Sequence, residues 1–339
     1  MKAHFEPPDD WLRIRTIDAH TAGEPLRVIV DGWPEIEGET ILAKRRFARG
    51  HHEHLRRALM LEPRGHADMY GCILTAPVTS DGDVGVLFLH NEGYSTMCGH
   101  GIIGLVKVGI EAGMIEAKPE IRIDTPAGRV TASARMEAGR VLSVSFLNVP
   151  SFLVERDRVI GVDGVGKLRV DVGYGGAYYA YVDAEEVGLE LEPKHFASIV
   201  DLGMRIKRAC TEEIPLRHPS GDTDLDFFYG TIFVQRLAGK RHSRNCCVFA
   251  EGEVDRSPTG TGVSGRAAIH HARGELALGE SIVIESLIGT PFEVRVAQEI
   301  DLEGQPAIVP EVTGEAHITG QHEFWIDPKD PLREGFLLR

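Results

Sequence analysis

Two short segments carry reactive residue types in the same frame: Met97-Cys98-Gly99-His100-Gly101-Ile102-Ile103-Gly104 and Pro258-Thr259-Gly260-Thr261-Gly262-Val263-Ser264-Gly265. From position 98 to position 259 the offset is 161 residues, and with that shift the glycines coincide. In each segment a nucleophile-type side chain stands before a glycine-rich turn that runs into a helix-like stretch, 102–110 and 263–270. Backbone N–H groups at a helix start have no intrahelical partner, and the helix dipole favours negative charge beside them. Two such turns facing each other would cradle a carboxylate, with a thiol on one wall and a hydroxyl on the other. A cysteine at a helix start next to His100 is expected to have a lowered pKa and thiolate character. A threonine hydroxyl is a far weaker acid and is no resting general base near neutral pH without a strong partner. Asp255, if it faces the same cleft, suits a cationic ring nitrogen.

Each of these residues also has an ordinary reading. Cys98 alone would be a buried packing cysteine, Thr259 a helix cap, and Asp255 a turn aspartate. Both glycine segments match G-x-G-x-x-G, but a dinucleotide site needs a βαβ unit, whereas antiparallel hairpins follow each turn here. His51-His52-Glu53-His54 lacks metalloprotease spacing and reads as a solvated helix surface. Adjacent Cys246 and Cys247 on a strand should face in and out and serve packing. Tyr178 and Tyr179 read as strand packing. His218 sits in a loop, with no argument that ties it to the cleft.

The elements around these segments repeat. The first half opens with Asp18-Ala19-His20-Thr21-Ala22-Gly23-Glu24-Pro25 and an apolar strand at 26–30, then a helix at 45–60 and a strand at 84–90 before the first glycine turn. Alternating strands follow at 121–124, 129–136 and 141–148. The second half reads as strands at 168–172 and 178–182, a helix at 192–207, and strands at 227–235 and 245–250 before the second turn. Strands at 281–286, 292–296 and 307–313 come next, and 316–326 alternates like one more. This is the pattern of a duplicated unit.

The chain has 339 residues and a formal net charge of −14, so it has length for two domains and lacks the basic balance that nucleic acid or an anionic membrane would select. No run is long enough to span a bilayer. The polar, acidic start at 1–11 does not read as a signal peptide. Five cysteines without regular spacing argue for reduced thiols and a cytoplasmic protein rather than a disulfide framework. Nothing in the composition calls for a metal or cofactor.

Met97-Cys98-Gly99-His100-Gly101, Asp255-Arg256-Ser257-Pro258 with Gly260-Thr261-Gly262, the opening Asp18-to-Pro25 segment and Gly175-Gly176-Ala177-Tyr178-Tyr179 together resemble the proline racemase family, over nearly the whole chain. The resemblance implies an α/β (α+β) fold of two similar diaminopimelate-epimerase-like domains, each a mostly antiparallel barrel-like sheet around a central helix. The active site would lie in the cleft between them. The domains would be 1–148 plus 316–339, carrying Cys98, and 149–315, carrying Thr259. It implies no cofactor and no metal, a small imino-acid substrate and a possible homodimer. By matching position, Cys98 is the base. Gly99, His100, Gly260 and Thr261 border the substrate carboxylate and ring, and Asp255 holds the ring nitrogen. Racemases and 4-hydroxyproline epimerases of the family carry a cysteine on each wall. Thr259 departs from that pattern, and within the family a cysteine–threonine pair resembles the trans-3-hydroxy-L-proline dehydratases. An isomerase acting on proline or 4-hydroxyproline and a non-catalytic imino-acid binder are the alternatives.

Overall fold

The computed structural model describes residues 5–237 and 242–338. The first half runs β1 (Leu12–Thr21), β2 (Glu24–Asp31), α1 (Ile41–His51), α2 (Glu53–Met60), β3 (Tyr70–Thr75), β4 (Val84–His90), β5 (Tyr94–Ser95), α3 (Gly99–Glu111), β6 (Ile121–Thr125), β7 (Gly128–Glu137) and β8 (Arg140–Leu147). The second half repeats this order as β9 (Phe152–Val162), β10 (Gly166–Tyr174), β11 (Tyr178–Asp183), α4 (Phe196–Glu213), β12 (Phe228–Arg236), β13 (Ser243–Phe249), β14 (Glu253–Val254), α5 (Gly260–Ala272), β15 (Ser281–Glu285), β16 (Pro291–Leu302) and β17 (Gln305–Gly314). The last strand, β18 (Ala316–Ile326), returns to pair antiparallel with β1.

Strand pairing makes the duplication explicit. In one set the neighbours are β18, β1, β2, β3, β4, β6, β7 and β8, with parallel contacts only at β2–β3 and β4–β6. In the other they are β9, β10, β11, β12, β13, β15, β16 and β17, with parallel contacts only at β11–β12 and β13–β15. The sets meet where β8 pairs with β17. Each parallel contact is spanned by helix, as a parallel crossover requires. The architecture is the mixed, mostly antiparallel α/β arrangement expected.

The two glycine-headed helices occupy equivalent places. Both α3 and α5 are buried on nearly every side, which for a helix means packing inside a sheet rather than on it. Their third glycines allow that depth. A Cβ on Gly104 would lie 2.6 Å from Leu26 Cδ2, and one on Gly265 would lie 2.2 Å from the Tyr181 hydroxyl.

Several expectations shift. The helix expected at 45–60 starts earlier, where Thr40 accepts the Ala43 N–H, and breaks at His52, which closes α1 and opens α2. Gly50 weakens the turn before that break. In β1 the apolar alternation stops after Ile14, where the buried Thr16 takes the next inward place, and β9 carries polar residues through its middle. The helix expected at 192–207 begins at Phe196, after a single tighter turn led by Pro193.

Candidate active site

The glycine turns meet head to head. A Cβ on Gly99 would lie 2.5 Å from Gly260 Cα, and one on Gly260 would lie 2.5 Å from Gly99 Cα. No other residue type allows two helix starts to approach this closely. Around the contact is a small cavity bordered by Cys98, Gly99 and His100 from one side and by Asp255, Thr259, Gly260 and Thr261 from the other. All seven residues singled out from the sequence therefore converge on one space. Only about 20 Å³ is open there to the centre of a water-sized sphere, so the structure shows a closed site with room for about one water. A wider cavity of about 660 Å³ lies beside Arg266 and His270 in the second half of the chain and touches none of these residues.

Cys98 caps α3. Its Sγ accepts the Gly101 N–H at 3.2 Å and lies 3.2 Å from His100 Nδ1. The expectation of a resting thiolate fails. Burial pushes the Cys98 thiol well above its ordinary value, Asp255 and Glu24 push in the same direction, and the Gly101 N–H only partly opposes them. The helix start and His100 were the visible half of the balance; the buried carboxyls come from distant sequence. Burial also lowers His100, so it cannot supply the positive charge that would have stabilised a thiolate.

Thr259 occupies the position equivalent to Cys98 but is built differently. It has φ +68°, where a β-branched residue is an outlier, against −147° for Cys98. Its backbone carbonyl accepts the Val263 N–H, yet its side chain makes no capping bond. The Thr259 Oγ1 is buried without a hydrogen-bond partner among the described residues. The capping alternative is thereby removed, and the hydroxyl borders the cavity with the Cys247 thiol as its neighbour. Asp255 combines its two readings: Oδ1 closes a turn by accepting the Ser257 N–H at 2.7 Å, and the residue also borders the cavity.

Sequence reasoning missed the rest of the lining. Tyr70 from β3, Tyr229 from β12 and Phe249 from β13 form an aromatic wall, where the Tyr229 and Phe249 rings stack at 5.3 Å and the two phenol oxygens lie 3.3 Å apart. Tyr179 was read as packing only. It borders the cavity and its hydroxyl lies 2.7 Å from Thr261 Oγ1, whereas Tyr178 does pack, against Tyr174 and Phe152. Cys246 and Cys247 are both fully buried, which corrects the in-and-out reading. The side chains do alternate on β13, but both faces are covered: Val248 packs on Gly203 of α4, while Cys247 and Phe249 border the cavity. His218 packs its ring 4.8 Å from Tyr174 and is not part of the lining. His51 stacks on Phe47 at 4.2 Å and bonds that residue's carbonyl, so it serves the surface of α1.

Known proteins resemble this chain over nearly its whole length. A profile described as "Proline racemase" matches residues 16–337. A protein of Colwellia psychrerythraea named trans-3-hydroxy-L-proline dehydratase is 45% identical over 98% of this chain and 94% of its own. A protein of Burkholderia multivorans named 3-hydroxyproline 2-epimerase is 42% identical over 96% and 98%. Among solved structures, a hydroxyproline epimerase from Agrobacterium vitis with bound trans-4-hydroxy-L-proline superposes with a TM-score of 0.92 at 32% identity, covering 98% of this chain and 96% of its own.

Proposed function

The chain belongs to the proline racemase family, and on that premise we propose the following reading: it is a hydro-lyase that dehydrates trans-3-hydroxy-L-proline to Δ1-pyrroline-2-carboxylate without a cofactor. The observation that carries this reading is the unequal pair of walls, a thiol at Cys98 and a hydroxyl at Thr259 that does not cap its helix, on either side of two abutting helix starts.

Two-base inversion needs a proton carrier on each face of Cα. Dehydration of this substrate does not. In trans-3-hydroxy-L-proline both the Cα hydrogen and the C3 hydroxyl lie opposite the carboxylate, so they share a face. Cys98, as thiolate, takes the Cα proton. The electron pair left on Cα forms the Cα–C3 double bond as the C3–O bond breaks, and the thiol returns the proton to the departing oxygen. Water leaves, and the enamine tautomerises to the cyclic imine.

The α3 and α5 starts, at Gly99, His100, Gly260 and Thr261, receive the carboxylate, where negative charge accumulates in the transition state. Preorganised donors of this kind are each worth roughly 3–4 kcal/mol in measured cases. Asp255 holds the ring ammonium, which acidifies the Cα hydrogen. That contact also answers the resting state of Cys98. A cation beside Asp255 offsets one of the carboxyls that push the thiol up, so substrate brings part of the means of generating its own base. Residues 1–148 with 316–339 and residues 149–315 act as the two walls of the cleft in this reading, and the enzyme works in the cytoplasm as a homodimer.

The test is Cys98→Ser. It should lower kcat by at least about a thousandfold while trans-3-hydroxy-L-proline still binds, because a hydroxyl is a far weaker acid than a thiol. Full activity in that variant would remove Cys98 from the chemistry. An isomerase is the second reading. It is favoured by the Burkholderia multivorans relative and by the Thr259 hydroxyl beside the cavity, which a water molecule would connect to the opposite face.

A further inference from the structure

We propose that Glu24 and Asp68, both from the first half of the chain, are positioning residues for Asp255: they grip its neighbour Arg256 from across the interface and so fix the carboxylate that receives the substrate's ring nitrogen. This rests on the reading of Asp255 given above.

The grip has two points. The Arg256 backbone N–H donates to Glu24 Oε2 at 2.6 Å, and the Arg256 guanidinium lies 2.9 Å from Asp68 Oδ2. Glu24 has no exposed surface and Asp68 is 4% exposed, while the Arg256 side chain that reaches Asp68 is half-buried. Asp68 is itself held in place. It adopts φ +62°, and its N–H donates to Asn91, whose amide bonds the carbonyls of Met60 at 2.7 Å and His66 at 3.1 Å. A non-glycine residue kept at such a φ needs surroundings that dictate it.

Glu24 ends the turn between β1 and β2, and that turn touches both walls of the site. Thr21 Oγ1 donates to the His100 carbonyl at 2.9 Å, on the Cys98 side. Three residues later Glu24 takes the Arg256 N–H, on the Asp255 side. From the second half, Thr290 Oγ1 donates to the Ala22 carbonyl at 2.6 Å. The opening Asp18-to-Pro25 segment, which supplies no group to the cavity lining, thus acts as a brace that sets the spacing of the walls. Spacing matters because an error of about 1 Å between reacting groups can cost on the order of a hundredfold in rate.

The chemistry of the grip suits a buried place next to Asp255. Burial, and then the Asp255 charge, push the Glu24 carboxyl well above the ordinary carboxylate range. At this point the Arg256 N–H requires an oxygen acceptor, and the carboxyl supplies one with or without its proton. Glutamine would do the same.

The test is a set of variants of the full chain assayed with trans-3-hydroxy-L-proline. Glu24→Ala should reduce kcat/KM on the order of tenfold to a hundredfold, and Glu24→Gln should restore it to within about threefold of wild type. In the Asp255→Asn background Glu24→Ala should add no further loss, because both act through one carboxylate. Multiplying losses, or a wild-type kcat/KM in Glu24→Ala, would overturn the brace while leaving Asp255 in its role. A wild-type kcat/KM in Asp255→Asn would overturn the reading of Asp255 and the brace with it. If Glu24→Ala does not fold, the same cycle with Asp68→Ala decides between the same two outcomes.

Discussion

Cys98 rests as a thiol in the closed site, and this gives the enzyme a pH signature. A raised thiol pKa means that the reactive thiolate increases as pH rises. In free enzyme, kcat/KM should therefore climb from neutral pH into the alkaline range, past the ordinary thiol value of about 8.5. If the substrate's ammonium sits at Asp255 as proposed, it cancels part of that field, so the rising limb of kcat should lie at lower pH than that of kcat/KM. The two profiles, measured side by side, check this; a kcat/KM that is flat between about pH 6 and pH 9 would contradict it. The thiol, the hydroxyl, the aspartate and the four helix-start residues were legible in the sequence because they sit in two short segments at a common offset. The carboxyls that set the thiol's state were not. Glu24 lies 74 positions before Cys98, and Asp255 acts on Cys98 only once the halves meet. The aromatic wall was hidden for the same reason, since Tyr70, Tyr229 and Phe249 come from three strands with no spacing rule between them.

The paired helices α3 and α5 explain why glycine recurs where it does, and the same sequence pattern in a nucleotide-binding fold serves a different end. Here the first glycine of each motif lets two backbones touch and the third lets a helix sink between strands. The two positions should fail differently. Gly99→Ala places a methyl against the Gly260 backbone, which has no side chain to move aside, so the walls are wedged apart. It should cost more than about a hundredfold in kcat/KM with little change in melting temperature. Gly104→Ala meets the terminal methyl of Leu26, which can shift. It should lower stability by about 1–3 kcal/mol as an overpacked core site, offset in part by alanine's better helix propensity. Thermal unfolding and kinetics on both variants separate the cases. The element pattern itself was legible wherever apolar residues alternate over a longer run, and failed at β1, where Thr16 fills an inward place, and at β9, whose middle is polar and exposed. At β13 the strand was legible but its facing was not, because a helix on one face and the cavity on the other bury both sides.

Across the whole molecule, duplication turns one simple unit into an enclosed site. Each half contributes a buried helix whose start is open, and neither half alone has a partner for it. The crossing of β18 back to β1 ties the end of the chain to the first half along ten residue pairs. A chain ending at Gly314 should therefore lose cooperative unfolding of the first half, as read by circular dichroism. The cavity is narrower than an imino acid, so the proposed reaction requires the walls to part for substrate and close again, with water excluded during proton transfer. In the proposed reading, a thiol on one wall and a hydroxyl on the other make this enzyme a dehydratase. Proton NMR in D2O puts that to the test, with the enzyme given trans-3-hydroxy-L-proline, trans-4-hydroxy-L-proline and L-proline in separate tubes. Only the 3-hydroxy compound should be consumed, giving Δ1-pyrroline-2-carboxylate with no inverted starting material. Deuterium exchange or inversion at Cα of the other two compounds would mean that Thr259 serves the opposite face, and the dehydratase assignment would fall.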